Sequence, residues 1–517
     1  MTETEQTKST GRWLIKGTLT TSSPLHIGNG DTTTRPEILV SDKIDPATGK
    51  KKEIEINAVV TTGPDKRAYI PGSTIKGNLR AWLKQAGTTE AILEQIFGSV
   101  DSKKKDAVGG KAEFHDAFIS NPISFSSDDI KRPPYWCGKR QTGVKVSVTI
   151  DRQTGTAREK RLFHEEYVPA GIKFGLVISG QDLIKDEVGW LIHALNDGCL
   201  GVMDMPSSIG SGTGDGNGRF DWQLEQVREL QNDGVKKWSE KCLEVGAGII
   251  AKHGASYDFS EFSRPLFSKV KDLTIDIKLD FAGSFLVNDP SRVVKKITAD
   301  SRPRLDHNGL PTLPGSAFRG ALRSHAERII RTVGGLACRV DDLENSCQAV
   351  SKAMDIEKRC LACRMFGAPG WKTLIEIAPF RLGTPEKLIF TQDFIAVDRF
   401  TGGVKEGAKF DADSLLKPQF EGKLTIDASR LEPWQMGLLA LLLRDLEEGD
   451  ITFGFGSTKG YGSCSATVSE LDVARVRNRE KFPAKVFVGK NDVEFINACI
   501  ESFVNICAPP KSGKAEA

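Results

Sequence analysis

Four cysteines, Cys338, Cys347, Cys360 and Cys363, follow the spacing C-x8-C-x12-C-x2-C. Four thiolates that include one C-x2-C pair suit tetrahedral Zn²⁺ at about 2.3 Å per sulfur, and four protein ligands leave no open position for water. The expected centre is therefore structural rather than hydrolytic; unliganded thiols or a redox pair form the competing reading. A second chemistry rests on cations. Residues 71–80 read PGSTIKGNLR and residues 314–323 read PGSAFRGALR. In each, Ser73 or Ser316 is placed to cap a helix after a Pro-Gly turn. Lys76 or Arg319 then falls in the first turn, where the helix dipole disfavours a cation unless an anion is near. Such a helix start suits a phosphate, while an ordinary capped helix with a solvated cation is the plainer alternative. Arg80 and Arg323 close the two copies.

The elements that carry these residues come in duplicate. The two PGS stretches lie 243 residues apart (314 − 71), and other landmarks recur at similar spacing, the mark of a repeated domain. Phe97-Gly98 answers Phe366-Gly367, and Asp151-Arg152 answers Asp398-Arg399, each dipeptide in a Thr- and Gly-rich loop. Glycine runs aligned on Ser211 and Ser457 end each half, 246 residues apart (457 − 211). With Lys459 they supply loops whose backbone N–H groups can approach phosphates closely; the first run carries Asp215 where the second has Lys459 nearby. Residues 131–161 hold nine Lys or Arg against two acids, a net +7, together with Tyr135 and Trp136, which could stack on bases. A solvated charge run is the alternative there.

The PGS turn-helix, the Asp-Arg-Thr-Gly loop and the terminal glycine loop, in that order twice, resemble the backbone RAMP subunits of type III CRISPR effector complexes, here with two domains fused as in subtype III-D. The resemblance covers roughly residues 12–222 and 270–470. It implies an α+β fold of two tandem ferredoxin-like, RRM-related domains with thumb insertions that splay an RNA duplex. It also implies a zinc knuckle in the second domain, and guide RNA, target RNA and other effector subunits as partners. RNA contacts would then fall on Ser73, Lys76, Arg80, Arg152, Ser316, Arg319, Arg323, Arg399 and Lys459. Active relatives need an Asp in the loop before the PGS strand. Counting 14 residues back from Pro314 gives Asp300, and from Pro71 gives Asn57. An amide can neither bind a metal with charge nor take a proton, so the second domain is expected to cut and the first is not; Asp31, Asp289 and Asp306 are fallbacks. The implied reaction is Mg²⁺- or other divalent-cation-assisted transesterification through Asp300. A guide-binding scaffold without activity, or a metal-independent processor of precursor guide RNA, are the alternatives.

Composition sets the outer bounds. The 517 residues are 39% hydrophobic and 27% charged with net charge +3, which fits two or more globular domains and argues against a uniformly basic coat. No apolar run is long enough to span a bilayer, and the polar start predicts an intracellular, cytoplasmic protein. Ten cysteines do not suggest a secreted disulfide scaffold. The expected layout is a first domain over 12–222 with its thumb at about 120–165, then a partly helical linker over 223–270. A second domain follows over 271–475 with a zinc insertion at 338–363, then an extension over 476–517. Residues 222–243 are expected to form one or two helices, and Trp434–Leu446 a buried helix.

Overall fold

The structure, a computed structural model, describes residues 11–28, 30–35, 40–44, 51–99, 107–151, 156–196, 208–231, 246–265, 273–293, 297–338, 347, 356–383, 389–469 and 493–508. They fall into two compact units, one formed by Met1–Lys145, His164–Thr213 and Asn217–Val270, the other by Val146–Phe163, Gly214–Gly216 and Lys271–Ala517.

In the first unit the strand Arg12–Thr21 alternates buried and exposed side chains and pairs on both edges, with Lys173–Gln181 and with Phe220–Leu230. The antiparallel sheet runs Ala255–Tyr257, Phe220–Leu230, Arg12–Thr21, Lys173–Gln181, Ala117–Asn121, Tyr69–Ile70, and Ala112–Phe114 also pairs with Lys173–Gln181. Helices Gly72–Gln85 and Lys185–Ala194 bury Leu79, Leu83, Val188 and Leu191 in one core with Ile15, Leu19, Phe174 and Leu176.

The second unit has the same order. Cys464–Val468, Leu273–Phe281, Gln419–Ile426, Phe380–Leu382 and Thr312–Leu313 are neighbours in turn, and Ile375–Ile377 also pairs with Gln419–Ile426. Unlike topologies would have refuted the duplication; the two sheets match in strand order, the first adding Ala255–Tyr257 at one edge. Helix Gly315–Thr332 stands where Gly72–Gln85 does. Helix Pro433–Glu447 begins with a proline, whose missing N–H is harmless at a first position. It is apolar on more than one side because it is sandwiched. Leu438, Leu442 and Leu446 belong to the core, and helix Val493–Cys507 packs along it with Phe495, Cys499, Phe503 and Cys507. The crossing is close: a Cβ on Gly437 would lie 2.2 Å from the Cys499 carbonyl oxygen.

Three expectations are corrected. Residues 222–230 are not helical but continue the strand Phe220–Leu230, held by ladder bonds to Arg12–Thr21; residues 232–245 lie outside the described set. The PGS helices start at Gly72 and Gly315, so Ser73 and Ser316 are second residues rather than caps. The proline is the cap: Pro71 O accepts from Thr74 N and Ile75 N, and Pro314 O from Ala317 N and Phe318 N. Trp136 is buried edge-on to Phe125, at 5.1 Å between ring centroids, and is not offered to a base.

The basic stretch also spends charge internally. Glu166 is wholly buried. It accepts from Arg35 (2.7 Å), twice from Arg140 (2.8 Å), from Thr142 Oγ1 (2.6 Å) and from Val60 N (2.9 Å). Burial alone would raise its pKa, but the Arg140 and Arg35 guanidiniums and the Thr142 hydroxyl outweigh it and hold the carboxyl at about 2. Breaking such a buried group costs about 3–5 kcal/mol, so Glu166→Ala should destabilise the first unit by that amount in urea unfolding at pH 7. Because the pKa is depressed, this contribution is complete above the ordinary value of 4.5 and is lost as pH falls toward 2. The gap between wild type and variant should therefore narrow from pH 5 to pH 2.5; a gap independent of pH would contradict the assignment.

Candidate nucleic-acid interface and metal centre

The glycine of each PGS turn is fixed by what it touches. A Cβ on Gly72 would sit 2.1 Å from Phe114 O, and one on Gly315 would sit 2.2 Å from Ile377 O, so each helix starts pressed onto a strand backbone. In the first copy the leading amide, Gly72 N, donates to Asp116 Oδ1 at 2.8 Å. Ser73 is exposed; Lys76 is partly buried and, among the described residues, carries no ion pair. Ser316 is partly buried, and Arg319 pairs with Asp215 at 2.8 Å within the second unit.

Arg80 and Arg323 share a task that their sequence position did not reveal. Arg80 donates to Gly98 O (2.5 Å) and to Glu90 (2.6 Å), and Arg323 donates to Gly367 O (3.1 Å). Gly98 and Gly367 are the Phe-Gly landmarks, C-caps of short helices with φ of 87° and 86°. Both arginines thus pin the same turn in their own half.

The loop ahead of each PGS strand is sewn to a hairpin by one pattern. In the first unit Asn57 N donates to His164 O and His164 N to Asn57 Oδ1, both at 2.9 Å, and Ala58 bridges Glu165 in parallel. In the second unit Asp300 N donates to Asp411 Oδ1 at 2.8 Å and Asp411 N to Asp300 Oδ2 at 3.3 Å, and Ser301 bridges Ala412 in parallel. Asn57 and Asp300 therefore occupy equivalent positions, the equivalence that counting back from the prolines anticipated. Asp300 is exposed, and Asp413, beyond the bridge, pairs with Arg302 at 3.5 Å. The fallbacks differ. Asp289 caps a short turn through Ser291, Asp306 closes the turn before the PGS strand through Asn308 N and Leu310 N, and Asp31 is exposed.

The glycine loops match in a different register from that of the shared serine. Ile209 N donates to Gly218 O and Phe453 N to Gly462 O. Positive φ values recur at Gly210, Gly212, Gly216 and Gly218, and at Gly454, Gly456, Gly460 and Gly462, each pair 244 residues apart (454 − 210). Thr213, not Ser211, thus answers Ser457, and Asp215 answers Lys459. The shared pattern G-x-G-x3-G-x-G is the signal that would have found this.

In the second unit the hairpin of Ile389–Val397 and Val404–Leu416 ends in a turn whose Asp398 accepts from Phe400 N and Thr401 N, and these bonds lower its pKa. Arg399 and Phe400 stand exposed at the tip, and Arg399 has no partner among the described residues. Arg152, its counterpart, lies outside the described residues. Lys459 does not project freely: its ammonium sits 4.5 Å from the Phe410 ring centroid, 5.0 Å from Phe394 and 5.2 Å from Phe455.

The four cysteines converge, with all four Sγ atoms within 4.8 Å of one another. Cys338 Sγ stands 3.2 Å from Cys360 Sγ and 3.3 Å from Cys363 Sγ, and all are free thiols. Cys347 Sγ accepts from Cys360 N (3.1 Å) and Cys360 Sγ from Cys363 N (3.4 Å). Bonds from Cys360 and Cys363 pull the Cys338 thiol down, while the shared proton with Cys338 pushes Cys363 up. The quartet could hold a metal ion, and an all-thiolate set is compatible with zinc. Asp445, Glu448 and Asp450 also approach one another, but Asp445 is already paired with His325 (2.6 Å) and Arg444 (2.7 Å).

A family model described as the RAMP superfamily matches residues 18–221 and 245–465. The chain belongs to the RAMP superfamily. Its two matched regions cover most of the two repeated sheets, the second also taking in Ala255–Tyr257 of the first, and the family suggests CRISPR-associated RNA binding. No curated protein matches the chain closely enough to add to this. No helix among the described residues is long and apolar enough to cross a membrane.

In this RAMP protein the Lys459 contacts tie the glycine loop to the hairpin. Cation–π attraction at an exposed site is worth roughly 0.5–1 kcal/mol, so Lys459→Met should speed amide hydrogen exchange in residues 453–462 and 389–416 several-fold while leaving residues 12–21 unchanged. Unchanged exchange in both segments would show that the cage contributes nothing.

Proposed function

We propose that this RAMP protein is a backbone subunit of a type III CRISPR ribonucleoprotein that binds guide RNA and cuts complementary target RNA through its second domain. Each half has four principal antiparallel strands in the order fourth, first, third, second, with a helix after the first and third, which supports a ferredoxin-like, RRM-related core. The cysteine quartet serves as a structural zinc knuckle of the second domain.

The observation that carries the cleavage reading is the matched pair of loops. The same backbone stitching presents an amide at Asn57 and a carboxylate at Asp300. Asp300 is exposed and tethered through one oxygen to Asp411 N, which holds its carboxylate in place without burying it. That carboxylate would take the proton from a ribose 2′-OH as its oxygen attacks the adjacent phosphorus, leaving a 2′,3′-cyclic phosphate and a free 5′-OH. Arg399, at the hairpin tip six residues beyond Asp393, the ladder partner of Asp411, would meet a more distant phosphate of the same RNA. Carboxylate oxygens are hard donors suited to Mg²⁺, which when bound would supply further positive charge. For the histidine-dependent alternative, burial of His26, His164, His193 and His325 leaves the exposed His115, His253 and His307 as its candidates.

The assembled complex incubated with complementary RNA and Mg²⁺ separates the readings. Asp300→Ala should lower cutting at one defined position by at least about 100-fold, the scale of a lost general base, with RNA affinity unchanged. An unaltered pattern would leave a binding-only scaffold, and cutting of precursor RNA by the isolated chain in EDTA would favour the processing enzyme.

A further inference from the structure

Four thiolates around a divalent cation carry a net charge of −2, and Cys347 and Cys363 are buried, so that charge needs compensation within the fold. Among the described residues, one cation reaches sulfur. Arg323 Nη2 donates to Cys363 Sγ at 3.0 Å while Nη1 donates to Gly367 O at 3.1 Å and Nε to Glu327 Oε1 at 3.1 Å. Its neighbours are arranged around that contact. Arg331 pairs with Glu327 at 3.5 Å and donates to Cys338 O at 2.9 Å, and Arg359 donates to Cys347 O at 3.3 Å. A guanidinium stays protonated at any ordinary pH, so Arg323 is a fixed cation in contact with the thiolates.

The first half provides the comparison. Arg80, 243 residues earlier, pins its own Phe-Gly turn through Gly98 O but directs its second arm to Glu90. Only the turn-pinning task is common to both copies; the bond to sulfur belongs to the half that has the cysteines.

We propose that Arg323 is a positioning residue of the cysteine metal centre, donating to the Cys363 thiolate and offsetting the charge of the metal–thiolate cluster so that metal is retained. This rests on the zinc reading above. A hydrogen bond from a guanidinium draws charge from sulfur and stabilises the thiolate form that binds metal, and loss of such an outer partner commonly weakens metal binding 10- to 100-fold. Lysine would restore the charge but not the planar fork that reaches sulfur and carbonyl together.

The test uses the full chain as wild type, Arg323→Gln, Arg323→Lys and Arg80→Gln. Zinc content is measured by mass spectrometry of the metal, and release by transfer to a chromophoric chelator under native conditions, with circular dichroism to check folding. Wild type should hold one zinc per chain. Arg323→Gln should release it at least tenfold faster, Arg323→Lys at an intermediate rate, and Arg80→Gln at the wild-type rate. Arg323→Gln or Arg323→Lys folded and releasing zinc at the wild-type rate would overturn the inference while leaving the zinc reading intact. Equal acceleration in Arg80→Gln would also overturn it, by tracing the effect to a loosened turn. Wild type purified without metal, and taking up none from added Zn²⁺, would instead overturn the zinc reading itself.

Discussion

The contact on which both halves depend is the one between a PGS glycine and a strand carbonyl. At Gly72 and Gly315 the helix backbone lies where a methyl group would come within 2.1 or 2.2 Å of an oxygen, so no other residue fits without moving the strand. The preceding proline supplies the carbonyl that receives the first intrahelical bonds, with its φ fixed near the required value. Helix direction, the placement of Arg80 and Arg323 one helix face along, and the closure of the Phe-Gly turn all follow from that single approach.

On this shared frame the two copies differ mainly in charge. Asn57 faces Asp300 across the duplication, Asp215 faces Lys459, and Glu90 stands as the partner of Arg80 where Arg323 meets a sulfur. Backbone geometry is constrained by close packing and hydrogen bonding, so it persists through duplication. Side chains that project from it are constrained far less, which lets one frame carry an amide in one half and a carboxylate in the other.

That division also explains what the sequence disclosed. Glycine positions, the PGS turns and the Phe-Gly turns were legible because steric exclusion restricts those sites to glycine or proline, and the equivalence of Asn57 with Asp300 followed from them. Matching Ser211 to Ser457 failed because a hydroxyl is not what fixes those loops; four positive-φ glycines are, and they set the register two residues away. Residues 222–230 read as helical because their charges are spaced along the segment, whereas their partner is the far edge of Arg12–Thr21, a contact that local spacing does not encode. That Arg80, Arg323 and Lys459, expected as RNA contacts, also have protein partners was not legible, because a cation's sequence position does not reveal which acceptor the fold brings to it.

The internal use of cations bears on how RNA could be held. Arg80, Arg319 and Arg323 are bound to protein groups, Arg140 serves Glu166, and Lys459 rests among phenyl rings. Of the described cations singled out as RNA contacts, Lys76, Arg399 and Lys459 carry no ion pair, one at a helix start, one at a hairpin tip and one on the glycine loop. Each ion pair with a phosphate releases counterions and adds to salt sensitivity. With net charge only +3, and with Arg80, Arg140, Arg319 and Arg323 held by protein groups, the proposed RNA contact would rest less on a dense positive field than on shape and backbone groups. Shape recognition of this kind is indifferent to base sequence, which the proposed guide-binding role would require.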